Sequence, residues 1–449
     1  MRAPNVVVFF TDQQRWDTSG LFGNPLELTP NYDRFAVEGT HCATAYTCQP
    51  VCLPARASLQ TGRYASLLGC HTHKGELAST EKTIGHYFRE AGYRTGYIGK
   101  WHLCQHEPVP PEFRAGYDEW IGSNALECSS DAYDTVMYGA DGKAVSLPGY
   151  RVDALADAGI RFMDRNREQP FFLMMSFIEP HHQNHRDEYA APEGYRERYT
   201  GRWTPPDLAA LGGSSAYQLG GYWGCVKRLD EAFGRVLDAL RSLCLRDNTI
   251  ILYTADHGCH FKTRNSEYKR ACQDGCTRIP MALSGPGLRG GGRIIRPVSL
   301  VDMPATLLDM AGVPVPSSMQ GRSIRQLVHG GDDGRPEDAF IQISESHCGR
   351  ALRTPRWKYS VIGVNRHGGH AAAEAYAEEF LYDMLADPYE QDNLIGLSSL
   401  ASVHSELREL MIHRIREYEG MTVDIEPAPR RECGQRYSFI SHRDPLEYR

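Results

Sequence analysis

The sequence predicts an α/β protein: a large domain on a mostly parallel central sheet flanked by helices, then a smaller C-terminal α+β domain with an antiparallel sheet. Three observations predict it. The apolar runs at 6–10 (VVVFF), 170–177 (PFFLMMSF) and 248–258 (NTIILYTADHG) lack the alternation of a half-exposed strand, so they read as strands buried on both faces. Helical patterns separate these runs, as crossovers between parallel strands require. After the charged, turn-rich segment 329–338 (HGGDDGRPED), the pattern changes to short strands. The expected domains are therefore 1–335 and 336–449.

Taken in order, the strand at 6–10 is followed by helical patterns at 32–38 and 82–91. The segment 93–103 (YRTGYIGKWHL) reads as strand and loop. An amphipathic helix at 152–165 leads into the strand at 170–177. A long helical stretch, 217–243, precedes the strand at 248–258, and 278–287 (RIPMALSGPG) gives a fourth strand. In the second domain, AFIQISES, GRALRTPRWKYSVIG and EFLYDM read as strands and 398–418 as a helix. The polar tail after Glu426 is expected to be irregular, wrapping the body or a partner subunit of a homo-oligomer.

The chain of 449 residues is 41% hydrophobic and 23% charged, enough apolar material for a large core. A formal net charge of -7 disfavours nucleic acid or an anionic membrane as partner. The apolar run at 6–10 is too short for a signal core or a membrane span, so a cytoplasmic location is expected. In that compartment most of the 13 cysteines should be free and buried. Cys48/Cys52 and Cys272/Cys276 are each four apart, but a zinc site joining the two pairs has little support.

The chemistry gathers at strand ends, where open α/β sheets place their ligands. Asp12 and Gln13 follow the first strand, and Asp256 and His257 follow the strand at 248–258. An aspartate after a strand is often only a cap or a turn former. Two of them, each followed by another donor, point instead to one divalent cation: an oxygen-rich set suits Ca2+ first, with Mg2+ or Mn2+ as alternatives. Alternation places Lys100 and His102 on one face of their segment. With Lys269 and Arg56 they would line a pocket for a tetrahedral oxyanion, a phosphoryl or sulfuryl ester.

At this point the residues resemble a family. Cys52-Leu53-Pro54-Ala55-Arg56 followed by Thr61-Gly62-Arg63 matches the signature of the type I sulfatases, members of the alkaline phosphatase superfamily. The resemblance continues through GYIGKWHL, SFIEPHH, YTADHG and LYDMLADPYEQDNL, in order along nearly the whole chain. It implies an alkaline-phosphatase-like large domain. It also implies that a sulfatase-maturing enzyme converts Cys52 to Cα-formylglycine, an aldehyde whose hydrate attacks sulfur and later expels sulfate. Carried over by resemblance, Asp12, Gln13, residue 52, Asp256 and His257 bind the metal, and Arg56 holds the hydrated aldehyde. Lys100 and Lys269 bind sulfate oxygens, and His102 orients or deprotonates the nucleophile. His181 is the acid to the leaving group, with His182 as its competitor. Two departures stand out: Gln13 where many members carry a second Asp, and Gln183 where many carry Pro.

The expected substrate is a small sulfated carbohydrate. Three histidine-rich loops, around His71, His260 and His347, offer groups for sugar hydroxyls and carboxylates, so His260 joins Lys100, Lys269, His181 and His182 as a substrate contact. Asp12-Gln13 also favours an alternative, a phosphonate monoester or phosphodiester hydrolase using the same aldehyde. A non-catalytic binding protein with the same fold is the alternative of another class.

Overall fold

The apolar run at 6–10 forms the strand Asn5–Thr11, and every residue of it is buried. The structure is a computed structural model and describes residues 2–288, 290–332 and 334–432. Val6, Val8 and Phe10 point into one core and Val7 and Phe9 into another, which is why the run has no polar alternation. On one side Asn5–Thr11 pairs in parallel with Thr249–Ala255, and on the other with Phe171–Ser176. Arg94–Lys100 and then Glu119–Ser123 extend the parallel set.

These five strands are the centre of a ten-stranded sheet. Beyond Glu119–Ser123 the antiparallel strands Thr135–Gly139 and Ala144–Leu147 close one edge. At the other edge Met281–Ser284 runs antiparallel to Thr249–Ala255, followed by Thr40–Cys42 and Gly292–Ile294. An apolar run carries no sign of its direction, and the four short strands Thr40–Cys42, Thr135–Gly139, Ala144–Leu147 and Gly292–Ile294 are too short to stand out by pattern. The helices Arg151–Arg165 and Ser215–Ser242 cover one face, while Cys52–Thr61, Ile84–Glu90 and Met303–Met310 cover the other.

The second sheet has the antiparallel strands Ala339–Ile343, Gly349–Arg353, Trp357–Gly363 and Ala375–Asp383, with Asp424–Glu426 added in parallel. The stretch read as one segment, GRALRTPRWKYSVIG, is thus a hairpin of two strands. The helix Ala401–Glu419 packs Leu407, Met411 and Ile415 against Phe340, Leu352 and Tyr359. This sheet abuts the loop that leads to Cys52: Gln342 N donates to Cys48 O at 2.8 Å, and Gln49 Nε2 donates to Ser344 Oγ at 2.6 Å. Of the tail, the described part lies along the body, with Arg431 N donating to Gly396 O at 2.8 Å. The rest of that predicted tail, 433–449, lies outside the described residues. All twelve described cysteines are free and ten are buried. Among the described residues no helix is long and apolar enough to cross a membrane.

Candidate active site

Cys52 is the first residue of the helix Cys52–Thr61, which is buried along its whole length. Pro54 sits in the first turn, where its missing N–H breaks no helical bond. Thr61-Gly62-Arg63 ends the helix. Gly62 is left-handed at φ 69°, its N–H donates to Ser58 O, and a Cβ there would lie 2.8 Å from Met319 Cγ. The signature residues therefore start and stop one short helix with Cys52 at its electropositive end.

Three groups converge on the Cys52 thiol: Lys269 Nζ at 2.8 Å, His257 Nε2 at 3.2 Å and Asp12 Oδ1 at 3.5 Å. Burial pushes the thiol up, but Lys100, Lys269, His257 and a hydrogen bond from His102 together hold it well below its ordinary range.

The parallel register pairs Thr11 with Ala255, so Asp12 and Asp256 leave adjacent strand ends side by side. One donor atom each from Asp12, Cys52, Asp256 and His257 lies within 4.8 Å of the others. Burial and the facing Asp12 push Asp256 up to about 7. Asp12 opposes its own burial through Lys100, His181 and Arg56 and stays well below the carboxylate range. Gln13 adopts φ 64°, its Nε2 meets Cys259 Sγ at 3.3 Å, and its Oε1 is buried without a hydrogen-bond partner. Two facing carboxylates, an imidazole and an orphaned amide oxygen fit a divalent cation.

Arg56, one turn along the helix, reaches Asp12 Oδ2 at 2.9 Å and Asp256 Oδ2 at 3.3 Å, and donates to Lys100 O and Ser176 Oγ. Lys100 Nζ lies between Asp12 Oδ2 at 2.8 Å and Glu127 Oε1 at 2.9 Å. It ends its strand beside Gly99, where φ is 119° and a Cβ would collide with Ser176 O at 1.8 Å. His102 does not share a strand face with Lys100, as alternation predicted. The strand stops at Lys100, and His102, at φ 56°, turns back to the same place through a left-handed residue.

Lys269 Nζ also meets His181 Nε2 at 3.1 Å, while His181 Nδ1 faces His182 O at 2.7 Å. His182 is one layer out, its ring stacked between His181 and Tyr268. His260 is buried, with Nε2 facing Lys269 O at 3.1 Å. This contact ties His260, expected from the sequence to touch substrate, to the segment that carries Lys269. The other two histidine-rich loops do meet: His73 Nδ1 contacts Glu345 Oε1 at 2.6 Å, Glu345 also pairs with Arg270, and Ser346 Oγ donates to Arg270 O. They form a rim beside Lys269.

Sequence reasoning missed Glu127, Ser176 and Tyr97, whose hydroxyl donates to Lys100 O. Glu127 is on a four-residue helix, Leu126–Ser129, too short to leave a periodic pattern. Its one signal is an acid inside a largely uncharged run just after a buried strand.

The comparisons agree with this geometry. The family pattern described as Sulfatase matches residues 4–313, and that described as N-sulphoglucosamine sulphohydrolase, C-terminal, matches residues 267–417. A relative described as ulvan-active sulfatase, from Formosa agariphila, is 28% identical over 92% of this chain and 81% of its own length. An N-acetylglucosamine-6-O-sulfatase of Bacteroides thetaiotaomicron is 25% identical over 94% of this chain and 88% of its own. The crystal structure of a putative sulfatase from Bacteroides fragilis superposes with a TM-score of 0.80 at 25% identity, covering 93% of this chain and 96% of that one. With the first match alone spanning more than half of its residues, the chain belongs to the sulfatase family, enzymes that hydrolyse sulfuric esters.

Proposed function

We propose that this sulfatase removes sulfate from a small sulfated carbohydrate, using formylglycine made from Cys52 by a maturing enzyme and a divalent cation, Ca2+ first. The observation that carries the reading is the Cys52 thiol held between Lys269, His257 and Asp12, with a further cation, Lys100, beyond Asp12. The carbohydrate part is supported by the sugar sulfatase named among the relatives.

Asp12, Gln13, Asp256 and His257 would hold the cation, which would supply Lewis-acid stabilisation to an oxygen nucleophile at residue 52. Arg56, fixed by Asp12, Asp256 and Ser176, holds that oxygen's position. Lys269, 2.8 Å from the residue-52 sulfur, and Lys100, held on Asp12, bind sulfate oxygens and stabilise the charge that spreads over them. A proton held between Lys269 Nζ and His181 Nε2, 3.1 Å apart, passes to the leaving oxygen of the sugar. His102 takes and returns a proton at residue 52, whose thiol it helps to hold below its ordinary range.

Peptide mass spectrometry across residue 52 tests the conversion. Sulfate release from a panel of sulfated mono- and disaccharides, set against aryl sulfate and phenylphosphonate, tests the substrate class. Converted, metal-loaded protein that releases no sulfate from any sugar, or that prefers the phosphonate, sinks the reading.

A further inference from the structure

Lys100 and His102 reach the site from the same segment, and both meet one carboxylate that no signature contains. Glu127 is 4% exposed. Its Oε1 lies 2.9 Å from Lys100 Nζ and 3.6 Å from His102 Nδ1, an ion-pair distance rather than a hydrogen bond. Its Oε2 has no hydrogen-bond partner, so the carboxylate's binding is concentrated on these two neighbours. Burial pushes Glu127 up, but Lys100, His102 and His181 together bring it down to about 2, so it is an anion in the folded protein. Its backbone carbonyl accepts from Asn184 N at 3.2 Å, which ties the short helix to the loop after His181 and His182.

We infer that Glu127 is a positioning residue for the sulfatase reaction, setting both the direction of the free Lys100 proton and the tautomer of His102. The inference rests on the sulfatase reading above. Lys100 has three N–H groups; one goes to Asp12 and one to Glu127, which leaves the third for a sulfate oxygen. His102 Nδ1 is buried, makes no hydrogen bond and has the Glu127 carboxylate as its ion-pair neighbour, which leaves Nε2 as the ring nitrogen free to face residue 52. An anion facing Nδ1 favours the tautomer with its proton there, and Nε2 then presents a lone pair to the hydroxyl that must be deprotonated. As that proton arrives, the same anion steadies the imidazolium. The proton leaves the residue-52 hydroxyl, binds Nε2 and is returned from it, so nothing else is consumed. A carboxylate beside a sulfate-binding lysine works against holding an anion. Its place here therefore marks a task in turnover rather than in binding.

E127Q keeps the shape and the acceptor oxygen for Lys100 and removes only the charge. On converted, metal-loaded protein with an aryl sulfate, kcat should fall about 10- to 100-fold, the usual cost of losing a group that orients a reacting one. Competitive inhibition by inorganic sulfate should be equal or stronger, because a negative charge has gone. E127D, which retains the charge, should recover part of kcat. In 15N-histidine-labelled protein, the His102 signals, assigned with H102Q, should lose the Nδ1–H pattern in E127Q. Thermal midpoints of the variants establish that they are folded. A kcat within about twofold of wild type overturns the inference, as does a fall in kcat with the His102 pattern unchanged. The nitrogen measurement needs no turnover, so it still reads if the sulfatase assignment itself fails on every substrate.

Discussion

Two buried charge clusters in this molecule have nearly the same ingredients and opposite organisation. The first surrounds Cys52. The second lies where the C-terminal sheet meets the segment 272–278: Lys358 Nζ donates to Cys272 O at 2.7 Å, Asp274 Oδ1 at 2.6 Å and Thr277 Oγ1 at 3.1 Å, with Glu390 Oε1 at 3.4 Å. Those three hydrogen bonds use all three N–H groups of Lys358. Lys269 faces instead a thiol and two imidazoles, groups that change partner or charge in a reaction. Gln13 Oε1 and Asp256 Oδ2 make no hydrogen bond at all. Glu390 Oε1 likewise makes no hydrogen bond and only an ion pair, so the contrast lies in the lysines: Lys358 is spent on fixed acceptors, whereas Lys269 faces groups that change in a reaction.

The sharpest way to break that contrast is Cys52→Ala. Turnover of any sulfate ester should drop by about 10^4-fold or more, as on loss of a nucleophile elsewhere. Mass spectrometry should find no aldehyde, and the thermal midpoint should stay close to that of the parent. Retained activity would mean that the cluster is not the reaction centre.

Lys358→Ala should do the reverse. It takes the nearest cation from buried Asp274, leaving Arg278 at 3.8 Å and the Tyr46 hydroxyl at 3.3 Å, and should cost up to about 3–5 kcal/mol of stability. Urea unfolding measures the loss, and protein that remains folded should keep its turnover. Lys269→Ala is the counterpart: it leaves no carboxylate unpaired, so turnover should collapse with little change in the urea midpoint. If both lysines acted alike, the division between the clusters would fail.

The first cluster was largely legible in the sequence and the second was not, for a physical reason. Asp12 and Asp256 stand directly after apolar strands, and a parallel register carries such positions to the same sheet edge. Lys358, Asp274 and Glu390 belong to three segments of different structure, and their meeting depends on how one sheet docks on another body. The same holds within the active site. Arg56 was legible because it lies in the same short signature as Cys52, whereas Glu127 joins Lys100 and His102 only in three dimensions. The structure brings His102 to the site by another route than strand alternation, since a left-handed residue stands where alternation was assumed.

The second cluster should also reveal itself by pH. Burial pushes Glu390 up to about 7, against Lys358, while Asp274 is held low by Lys358 despite burial. In the unfolded chain a glutamate ionises near 4.3. Between about pH 4.5 and 7 the folded state therefore binds the extra Glu390 proton, and stability falls as pH rises through that window. Asp274 is ionised in both states there and adds no slope. In E390Q this contribution vanishes, so the gap in thermal midpoint between E390Q and wild type should shift in favour of E390Q from pH 5 to 7. A constant gap across that range would show that Glu390 is ionised in the fold throughout.

Cys48→Ala should give the smallest effect, and it separates the two cysteines of one short segment. Cys48 lies in the apolar cluster of the C-terminal sheet with Tyr64 and Val301, and burial pushes its thiol up to about 12. No cation is placed to draw out a thiolate, so Cys48 acts as a small apolar side chain. Its backbone carbonyl, which accepts from Gln342 N, survives the change. The cost should be about 1 kcal/mol for the lost buried sulfur, read from urea unfolding, with residue 52 still converted and turnover unchanged. A large loss of turnover without loss of stability would place Cys48 in the reaction centre and erase the distinction between a cysteine that packs and one that is converted.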